Sequence, residues 1–196
     1  MARVKPIDPE QVPELADMLE ARKKSLGFLP NSALTIARWP ELAEAYGALS
    51  AAIASTRKLS PGLSSLVFLV ASNAAGCEYC VAHGASKAVN KGVMESKLDQ
   101  VWEFETSPLF DEAERSALRM ALAAGVTPSA VTDEHFEDLR PHFDDDAIVE
   151  IVGVIAFSGF MNRWNATMGT TLEEQPKAVA ERLLAAHGWD IGSHGE

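Results

Sequence analysis

Two cysteines and a histidine lie at helical spacing near the middle of the chain. Cys77 and Cys80 are three residues apart, and His83 follows Cys80 by another three. The sequence contains 2 cysteines in all, so neither thiol has a further cysteine to pair with. A Cys-x-x-Cys pair of this kind is typical of a redox couple that passes between a dithiol and a disulfide.

The same spacing favours one thiol as a nucleophile. Residues three apart share a helix face, so the His83 imidazole can take the proton of Cys80 and then stabilise the thiolate. The opening turn of a helix, where backbone N–H groups lack partners, favours the same anion. We therefore expect Cys80 to be an acidic thiol that attacks a peroxide oxygen and becomes a sulfenic acid. Cys77 would condense with it to a disulfide, and an external thiol or dithiol would reduce the pair.

Two other uses of these residues stay open. Zinc accepts cysteine and histidine ligands, but a closed structural site needs a fourth ligand, and the remaining histidines lie in unrelated segments. Those histidines are His135, His142, His187 and His194. Alternatively, the two thiols are small buried side chains at a helix-packing face. We expect redox chemistry, with neither a metal nor a bound cofactor.

The composition argues against nucleic acid and membrane partners. The 196 residues carry 17 basic and 28 acidic side chains, and the resulting net charge of −11 repels nucleic acid and anionic lipid. The start of the chain has no apolar stretch of the kind found in secretory signals. A chain of this length buries roughly 70% of its unfolded surface, so it needs no metal or disulfide to fold. We expect a cytoplasmic protein with reduced thiols.

Helical periodicity runs through nearly the whole chain, and no stretch alternates with a period of two. Helices are predicted to start at capping or proline residues and to end at glycines. The predicted segments are 8–27, a short one from 30, one from 40, 60–75, 77–91, 94–104, 111–124, 133–139, 146–168 and 176–186, followed by a loose tail. Segment 60–75 is apolar nearly all round and is expected to be the buried central helix. The sequence predicts an all-α protein.

Two apolar stretches of the sequence align with each other. Residues 65–80 end in two cysteines three apart, and residues 150–165 end in two asparagines three apart. Either a helical unit has been duplicated and only the first copy has thiols, or two unrelated buried helices look alike. In this alignment Glu150 matches Ser65 and becomes a candidate to assist the thiols. The alternative is a helix-face glutamate bonded to an arginine or to a backbone amide.

The motif and its surroundings resemble the alkyl hydroperoxidase D and carboxymuconolactone decarboxylase superfamily, and within it the peroxidase-related members. The resemblance rests on Cys77-Glu78-Tyr79-Cys80-Val81-Ala82-His83, on Phe28-Leu29-Pro30-Asn31 followed by Ala37-Arg38-Trp39-Pro40-Glu41-Leu42, and on Trp102-Glu103-Phe104 and Asn162-Arg163-Trp164-Asn165. It implies an all-α helical bundle, thiol peroxidase activity, and assembly into dimers, trimers or hexamers. We interpret residues 1–196 as one domain, with an amino-terminal helical extension at about 1–58, a core at about 59–125 and a second helical unit at about 132–186.

The sequence departs from the best-studied peroxidase members in its proton relay. Those members have a histidine four residues after the second cysteine, where this chain has Gly84, and a glutamate twelve residues before the first cysteine, where it has Ser65. Tyr79 stands where they have a second histidine. A serine hydroxyl cannot act as a base near neutral pH, so His83 is the expected base and slower peroxide turnover is expected. The candidate assisting residues are Ser65, Glu78, Tyr79 and Glu150.

The expected function is therefore that of a thiol-dependent oxidoreductase that reduces hydroperoxides or exchanges disulfides. Its partners would be a reducing protein or a small thiol and further copies of the chain. Two alternatives stay open: a decarboxylase-type lyase on the same fold, and a redox-sensing helical oligomer without enzymatic activity. The decarboxylase branch generally lacks the cysteine pair, which argues against the lyase.

Overall fold

The computed structural model describes residues 2–195, and every regular element in that range is a helix. The α-helices are α1 (Ala16–Leu26), α2 (Asn31–Ile36), α3 (Pro40–Ala54), α4 (Pro61–Ala74), α5 (Glu78–Asn90), α6 (Glu95–Asp99), α7 (Glu112–Gly125), α8 (Asp133–Leu139), α9 (Asp145–Met168) and α10 (Glu174–Leu183). Short 3₁₀ turns occupy Pro9–Gln11, Pro13–Leu15, Val101–Glu103, Ala185–His187 and Gly192–His194. The predicted all-α class is confirmed.

Two predicted helices are broken in the structure. The predicted helix 8–27 begins with two 3₁₀ turns, and only the part from Ala16 onwards is α-helical. Pro13 has no N–H to donate, and its ring would clash with the carbonyl four residues earlier, so an α-helix cannot run through this position. The predicted helix 94–104 is divided between α6 and the turn Val101–Glu103. The other predicted helices begin within two residues of the observed ones.

Helix α4 is the central helix of the fold, as its apolar sequence predicts. The Ser60 side chain caps it by accepting the Leu63 N–H at 3.1 Å, and Pro61 occupies the first turn, where a missing N–H costs nothing. Every residue from Leu63 to Ser72 is buried. α4 packs against α5, α7 and α9, so the position of α5, which carries the cysteines, is fixed by contact with the core.

Helix α9 is the longest helix and packs beside the central one. Its length and apolar composition would suffice to cross a membrane. However, one face buries residues such as Ile151 and Val154 against the core, in contact with α3, α4, α5 and α7. The other face exposes Val149 and Val152. Burial in the core accounts for the apolar residues of the first face only.

A tight turn between α4 and α5 brings the first cysteine to the start of its helix. Gly76 has φ +68°, in the left-handed region that glycine adopts without a steric penalty. Its N–H donates to the Asn73 carbonyl at 2.9 Å, and the Cys77 N–H donates to the Ser72 carbonyl at 3.1 Å. These bonds satisfy the last carbonyls of α4 and leave Cys77 as the N-cap of α5.

The carboxyl-terminal tail is docked on the fold, so the predicted loose tail is wrong. Leu172 N–H donates to the His194 carbonyl at 2.9 Å, and His194 Nδ1 lies 2.8 Å from the Thr170 carbonyl oxygen. Trp189 Nε1 donates to the Glu78 carbonyl at 3.2 Å. Apolar tail side chains pack on the core, and this burial outweighs the freedom of the tail glycines.

Gly84 is expected to be required for the close packing of α5 on α4. A Cβ atom at this position would lie 3.0 Å from the Leu69 Cα, which is closer than ordinary carbon contacts. We expect Gly84→Ala to lower the free energy of unfolding by about 1–3 kcal/mol through overpacking. Gly159→Ala is the matched control, because a Cβ there meets nothing within 4 Å and alanine is the better helix former. Urea denaturation measures both, and equal effects would contradict the packing argument.

Candidate active site

The two cysteines lie in contact at the start of α5. Their Sγ atoms are 2.8 Å apart, and both side chains are buried. The Cys77 sulfur also accepts the Cys80 N–H at 3.4 Å, so it receives one of the unpaired donors of the first turn. A disulfide needs the sulfurs about 2.05 Å apart, so a small shift suffices for them to bond.

Only one of the two sulfurs faces the cavity beside them. Cys80 lines a cavity of about 300 Å³, whereas Cys77 lies behind it, outside the lining. The cavity wall is mainly aromatic and apolar, and its rings come from Phe28, Tyr46, Phe68, Tyr79 and Phe157. A molecule in the cavity therefore meets the Cys80 sulfur first.

The expectation of an acidic Cys80 thiol is wrong. Burial raises the pKa of Cys80 well above its usual value, the adjacent Cys77 sulfur raises it further, and only the Asn165 amide acts in the opposite direction. The unpaired N–H of the helix start is directed to Cys77, because Cys77 rather than Cys80 is the N-cap.

The closeness of the sulfurs supplies a different route to a nucleophile. When one of two sulfurs in contact has lost its proton, the S–H of the other can donate to it. Cys77 is placed to donate its S–H to Cys80, and the Asn165 amide N–H lies 3.5 Å from the same sulfur. Both donors stabilise negative charge on the sulfur that faces the cavity.

His83 forms its hydrogen bond with a carboxylate and not with the Cys80 thiol. Among residues 2–195, no hydrogen bond joins His83 to Cys80; His83 Nε2 lies instead 2.7 Å from Glu173 Oε2. Both Cys80 and His83 line the cavity. The structure thus brings the thiol and the imidazole to one space, where a bound molecule can contact both.

Glu173, which the sequence analysis did not identify, fixes the imidazole. It precedes α10, and its side chain has only 12% of its surface exposed. Burial alone would raise its pKa, but hydrogen bonds from His83 and from the Asn31 backbone N–H outweigh burial and hold the pKa below its usual value of 4.5. With Nε2–H donated to this carboxylate, Nδ1 of His83 is the nitrogen left to accept a proton.

Tyr79 contacts both Glu173 and His83 and holds them in position. Its hydroxyl donates to Glu173 Oε1 at 2.9 Å, and its ring stacks on the His83 ring with centroids 4.4 Å apart. Burial, together with the nearby Glu173 charge, raises the pKa of Tyr79 well above its usual value. Tyr79 is therefore a hydrogen-bond donor to the carboxylate and not an acid that titrates near neutral pH.

None of the other candidate assisting residues forms a hydrogen bond with either sulfur within the described residues. Ser65 donates to the Pro61 carbonyl within α4 at 2.8 Å. Glu150 accepts three consecutive backbone N–H groups of the α3–α4 loop, from residues 57–59, at 2.9–3.1 Å. Glu150 is thus a carboxylate bonded to backbone amides, as the alternative interpretation has it, and its assisting role stays a prediction. Glu78 is half-buried, and burial followed by the charge of Asp190 raises its pKa.

The residues that the sequence analysis missed differ in the signal they left. Asn165 belongs to a segment that carries the family resemblance, and it aligns with Cys80 in the two similar stretches. These two signals mark it as a candidate site residue in the sequence. Glu173 has no such signal, because it stands beside the equally acidic Glu174. Within the described residues, no group of three or more His, Cys, Asp or Glu side chains is placed to hold a metal ion.

Comparison with known proteins supports the family and the fold. Residues 40–123 match the carboxymuconolactone decarboxylase family. The chain belongs to this family, as the resemblance predicted.

Particular relatives include the debrominase Bmp8. Its apo structure is 36% identical to this chain, with a TM-score of 0.87, and the alignment covers 92% of this chain and 97% of Bmp8. A cysteine-to-alanine variant of Bmp8 in complex with 2,3,4-tribromopyrrole is 35% identical, again with a TM-score of 0.87. A peroxidase-related protein from Ralstonia eutropha JMP134, with an alkylhydroperoxidase AhpD core, is 24% identical with a TM-score of 0.80 over 89% of this chain and 94% of its own, and shares the fold.

Escherichia coli YnjA is 36% identical over 110 residues, which are 56% of this chain. The alignment spans 60% of the length of YnjA.

The Glu173 carboxylate is expected to stabilise the fold in a pH-dependent way. Because its folded pKa lies below 4.5, its contribution is complete above that pH and is lost as the pH falls through the folded pKa. We expect Glu173→Gln to cost about 1–3 kcal/mol of unfolding free energy at pH 7, and the cost to shrink in acid. Glu174→Gln, at an exposed side chain, is the control and should change little. Urea denaturation at several pH values measures this, and a pH-independent difference would contradict it.

Proposed function

We propose that this protein is a thiol-dependent oxidoreductase that passes two electrons from the Cys77/Cys80 dithiol to an organic hydroperoxide. The observation that carries the proposal is the arrangement of the sulfurs. They lie 2.8 Å apart, with one at the wall of an aromatic cavity and the other directly behind it. The peroxidase-related protein from Ralstonia eutropha JMP134 shares the fold with this chain and adds nothing further to the proposal.

The proposed reaction has two steps. The Cys80 thiolate attacks the terminal peroxide oxygen, the O–O bond breaks, and the remaining alkoxide takes a proton and leaves as an alcohol. Cys80 is then a sulfenic acid. The Cys77 sulfur attacks the Cys80 sulfur, the S–S bond forms, and hydroxide leaves as water with a second proton. The dithiol has lost two electrons and two protons, and an external thiol or dithiol restores it.

His83 is the proposed proton carrier of the first step. Its Nε2 is bound to Glu173, and its ring is held between the Tyr79 and Phe28 rings, with centroids 4.4 and 5.7 Å away. A fixed imidazole that shares a cavity with the nucleophile can take the first thiol proton through the bound molecule or water and give it to the leaving alkoxide. Glu173 stabilises the imidazolium formed in between.

The aromatic wall supports an organic substrate rather than hydrogen peroxide. Apolar surface contributes roughly 25 cal/mol for each Å² removed from water, so a hydrocarbon body gains affinity from these rings and hydrogen peroxide gains none. A cavity of about 300 Å³ is at the lower end of the range for small-molecule sites.

Reductive debromination is a second candidate function, favoured by the 36% identity to Bmp8 across nearly the whole chain. The same dithiol would supply the two electrons. The carbon–bromine bond of an aromatic substrate would be replaced by a carbon–hydrogen bond, and bromide, a proton and the Cys77–Cys80 disulfide would be the other products. An aromatic cavity suits this substrate as well.

We also propose that the protein acts in a reducing cytoplasm and as an assembly of several copies. A reducing cytoplasm would return the pair to the dithiol, and the exposed apolar residues of α9, Val149 and Val152, support association with further copies of the chain. Both are proposals.

Serine variants of the two cysteines separate the steps of the reaction. We expect either Cys80→Ser or Cys77→Ser to abolish multiple turnover of cumene hydroperoxide with dithiothreitol as reductant. Cys77→Ser should still react once and gain one oxygen on Cys80, because the nucleophile remains. Cys80→Ser should not react at all. Stopped-flow oxidation and intact-protein mass spectrometry measure this, and Glu150→Gln, which changes a carboxylate bonded to backbone amides, is the control.

Other results of this experiment select among the alternatives. Bromide release from 2,3,4-tribromopyrrole by the wild type, lost in Cys80→Ser, with no hydroperoxide turnover would select debromination. A single oxidation without turnover would indicate a sensor. Oxidation of Cys80→Ser at the wild-type rate would disprove the assignment of the nucleophile.

A further inference from the structure

The cavity that contains Cys80 also has a cationic region. Arg22, Lys87 and Lys91 all line it, in a chain whose net charge is −11. Within residues 2–195, none of the three forms an ion pair. Elsewhere, some cations, such as Lys97 and Arg119, contact carboxylates, and others, such as Lys24, form no ion pair with the described residues either. What sets the first three apart is that they line one cavity of an acidic protein.

Lys87 is the most constrained of the three. It is half-buried, its ammonium group forms no hydrogen bond with the described residues, and its Nζ lies 5.9 Å from the centre of the Phe68 ring. Burial lowers its pKa, and the charges of Lys91 and Arg22 lower it further. Lys87 is therefore repelled by both neighbouring cations, and an anion bound beside it in the cavity would relieve that repulsion.

Arg22 is held in place but not neutralised. Its guanidinium donates to the Ser50 hydroxyl at 2.9 Å and to the Tyr46 hydroxyl, and it lies 4.7 Å from the centre of the Tyr46 ring. These partners are uncharged, so they orient the guanidinium and leave its charge uncompensated. Its Nε is buried and has no hydrogen-bond partner in the described chain.

We infer that the cavity binds an organic carboxylate, with the carboxylate at Lys87, Arg22 and Lys91 and the hydrocarbon body along the aromatic wall towards Cys80. This inference deepens the proposed function, and it rests on that proposal for the group that reacts at Cys80. A guanidinium and ammonium groups form charge-assisted hydrogen bonds with carboxylates, which are about twice as strong as neutral ones. The acidic remainder of the surface would also leave this opening as the favoured place for an anion to bind.

The spacing along α5 sets the shape of the molecule. Cys80, His83, Lys87 and Lys91 line the cavity at intervals of three and four residues, so one face of the helix runs from the thiol to the cations. The seven residues from Cys80 to Lys87 correspond to a rise of about 10 Å. Side chains tilt towards the helix start, which brings the ammonium nearer to the sulfur. A carboxylate and a reactive group separated by one benzene ring or a short alkyl chain fit this interval.

Binding of two probes of the same shape tests the inference without any turnover. Isothermal titration of the reduced protein with 4-isopropylbenzoate and with its neutral amide compares a carboxylate with an uncharged group on one hydrocarbon body. We expect the carboxylate to bind about tenfold tighter at low salt, and the preference to decline as salt is added. Equal affinities, or no binding of the carboxylate, would overturn the inference.

A variant of Lys87 assigns the effect to the cationic region. We expect Lys87→Gln to weaken carboxylate binding about tenfold and to leave amide binding unchanged. It removes no hydrogen bond of the fold, unlike Arg22→Gln. Lys24→Gln, at an exposed position of α1 outside the cavity lining, is the control. Unchanged carboxylate affinity in Lys87→Gln would contradict the site.

The same titration on Cys80→Ser separates this inference from the proposed function. Retained carboxylate binding by Cys80→Ser would show that the anion site does not depend on the reactive thiol. Carboxylate binding by a wild type that no hydroperoxide oxidises would refute the redox proposal alone. Normal cysteine chemistry without a carboxylate preference would refute the anion site alone.

Discussion

The buried carboxylate of Glu173 is the interaction on which the geometry of the site depends. Three parts of the chain meet at it: the Asn31 N–H at the start of α2, Tyr79 and His83 on α5, and the N-cap of α10. A buried charge is costly unless hydrogen bonds compensate it, so the three donors and the acceptor depend on one another. Glu173 fixes the position of the His83 imidazole, and the hydrogen bond from His83 in turn stabilises the buried charge of Glu173.

The sulfur pair divides two tasks that a single reactive cysteine would combine. Cys80 can be reached from the cavity, but its burial disfavours a thiolate. Cys77 cannot be reached, but it accepts the backbone N–H at the start of α5 and contacts the other sulfur. A negative charge on the pair is therefore stabilised by the contacts of Cys77, while a molecule in the cavity can reach it at Cys80. The Gly76 turn makes this possible, since it places Cys77 before the helix and Cys80 inside it.

Local sequence determined what could be predicted. The Ser60 cap, the apolar run of α4 and the Cys-x-x-Cys spacing are all short-range patterns, and they gave the central helix, the all-α class and the two sulfurs. Glu173 lies 90 residues from His83, and no short-range pattern distinguishes it from its neighbour. The acidity expected of Cys80 failed for a related reason, because burial by distant helices sets that pKa. The prediction of a loose tail was wrong for the same reason. The tail glycines can be read from the sequence, but the surface on which Trp189 packs is formed by distant parts of the chain.

The docked tail has a further consequence for anyone who handles this protein. Trp189 donates to the backbone of Glu78, the residue that follows the N-cap cysteine, and the His194 ring lies 5.6 Å from the Tyr79 ring. The last part of the described chain is thus a wall of the turn that holds both sulfurs. Deletion of Trp189 and the residues that follow it is therefore expected to expose the turn that holds both sulfurs.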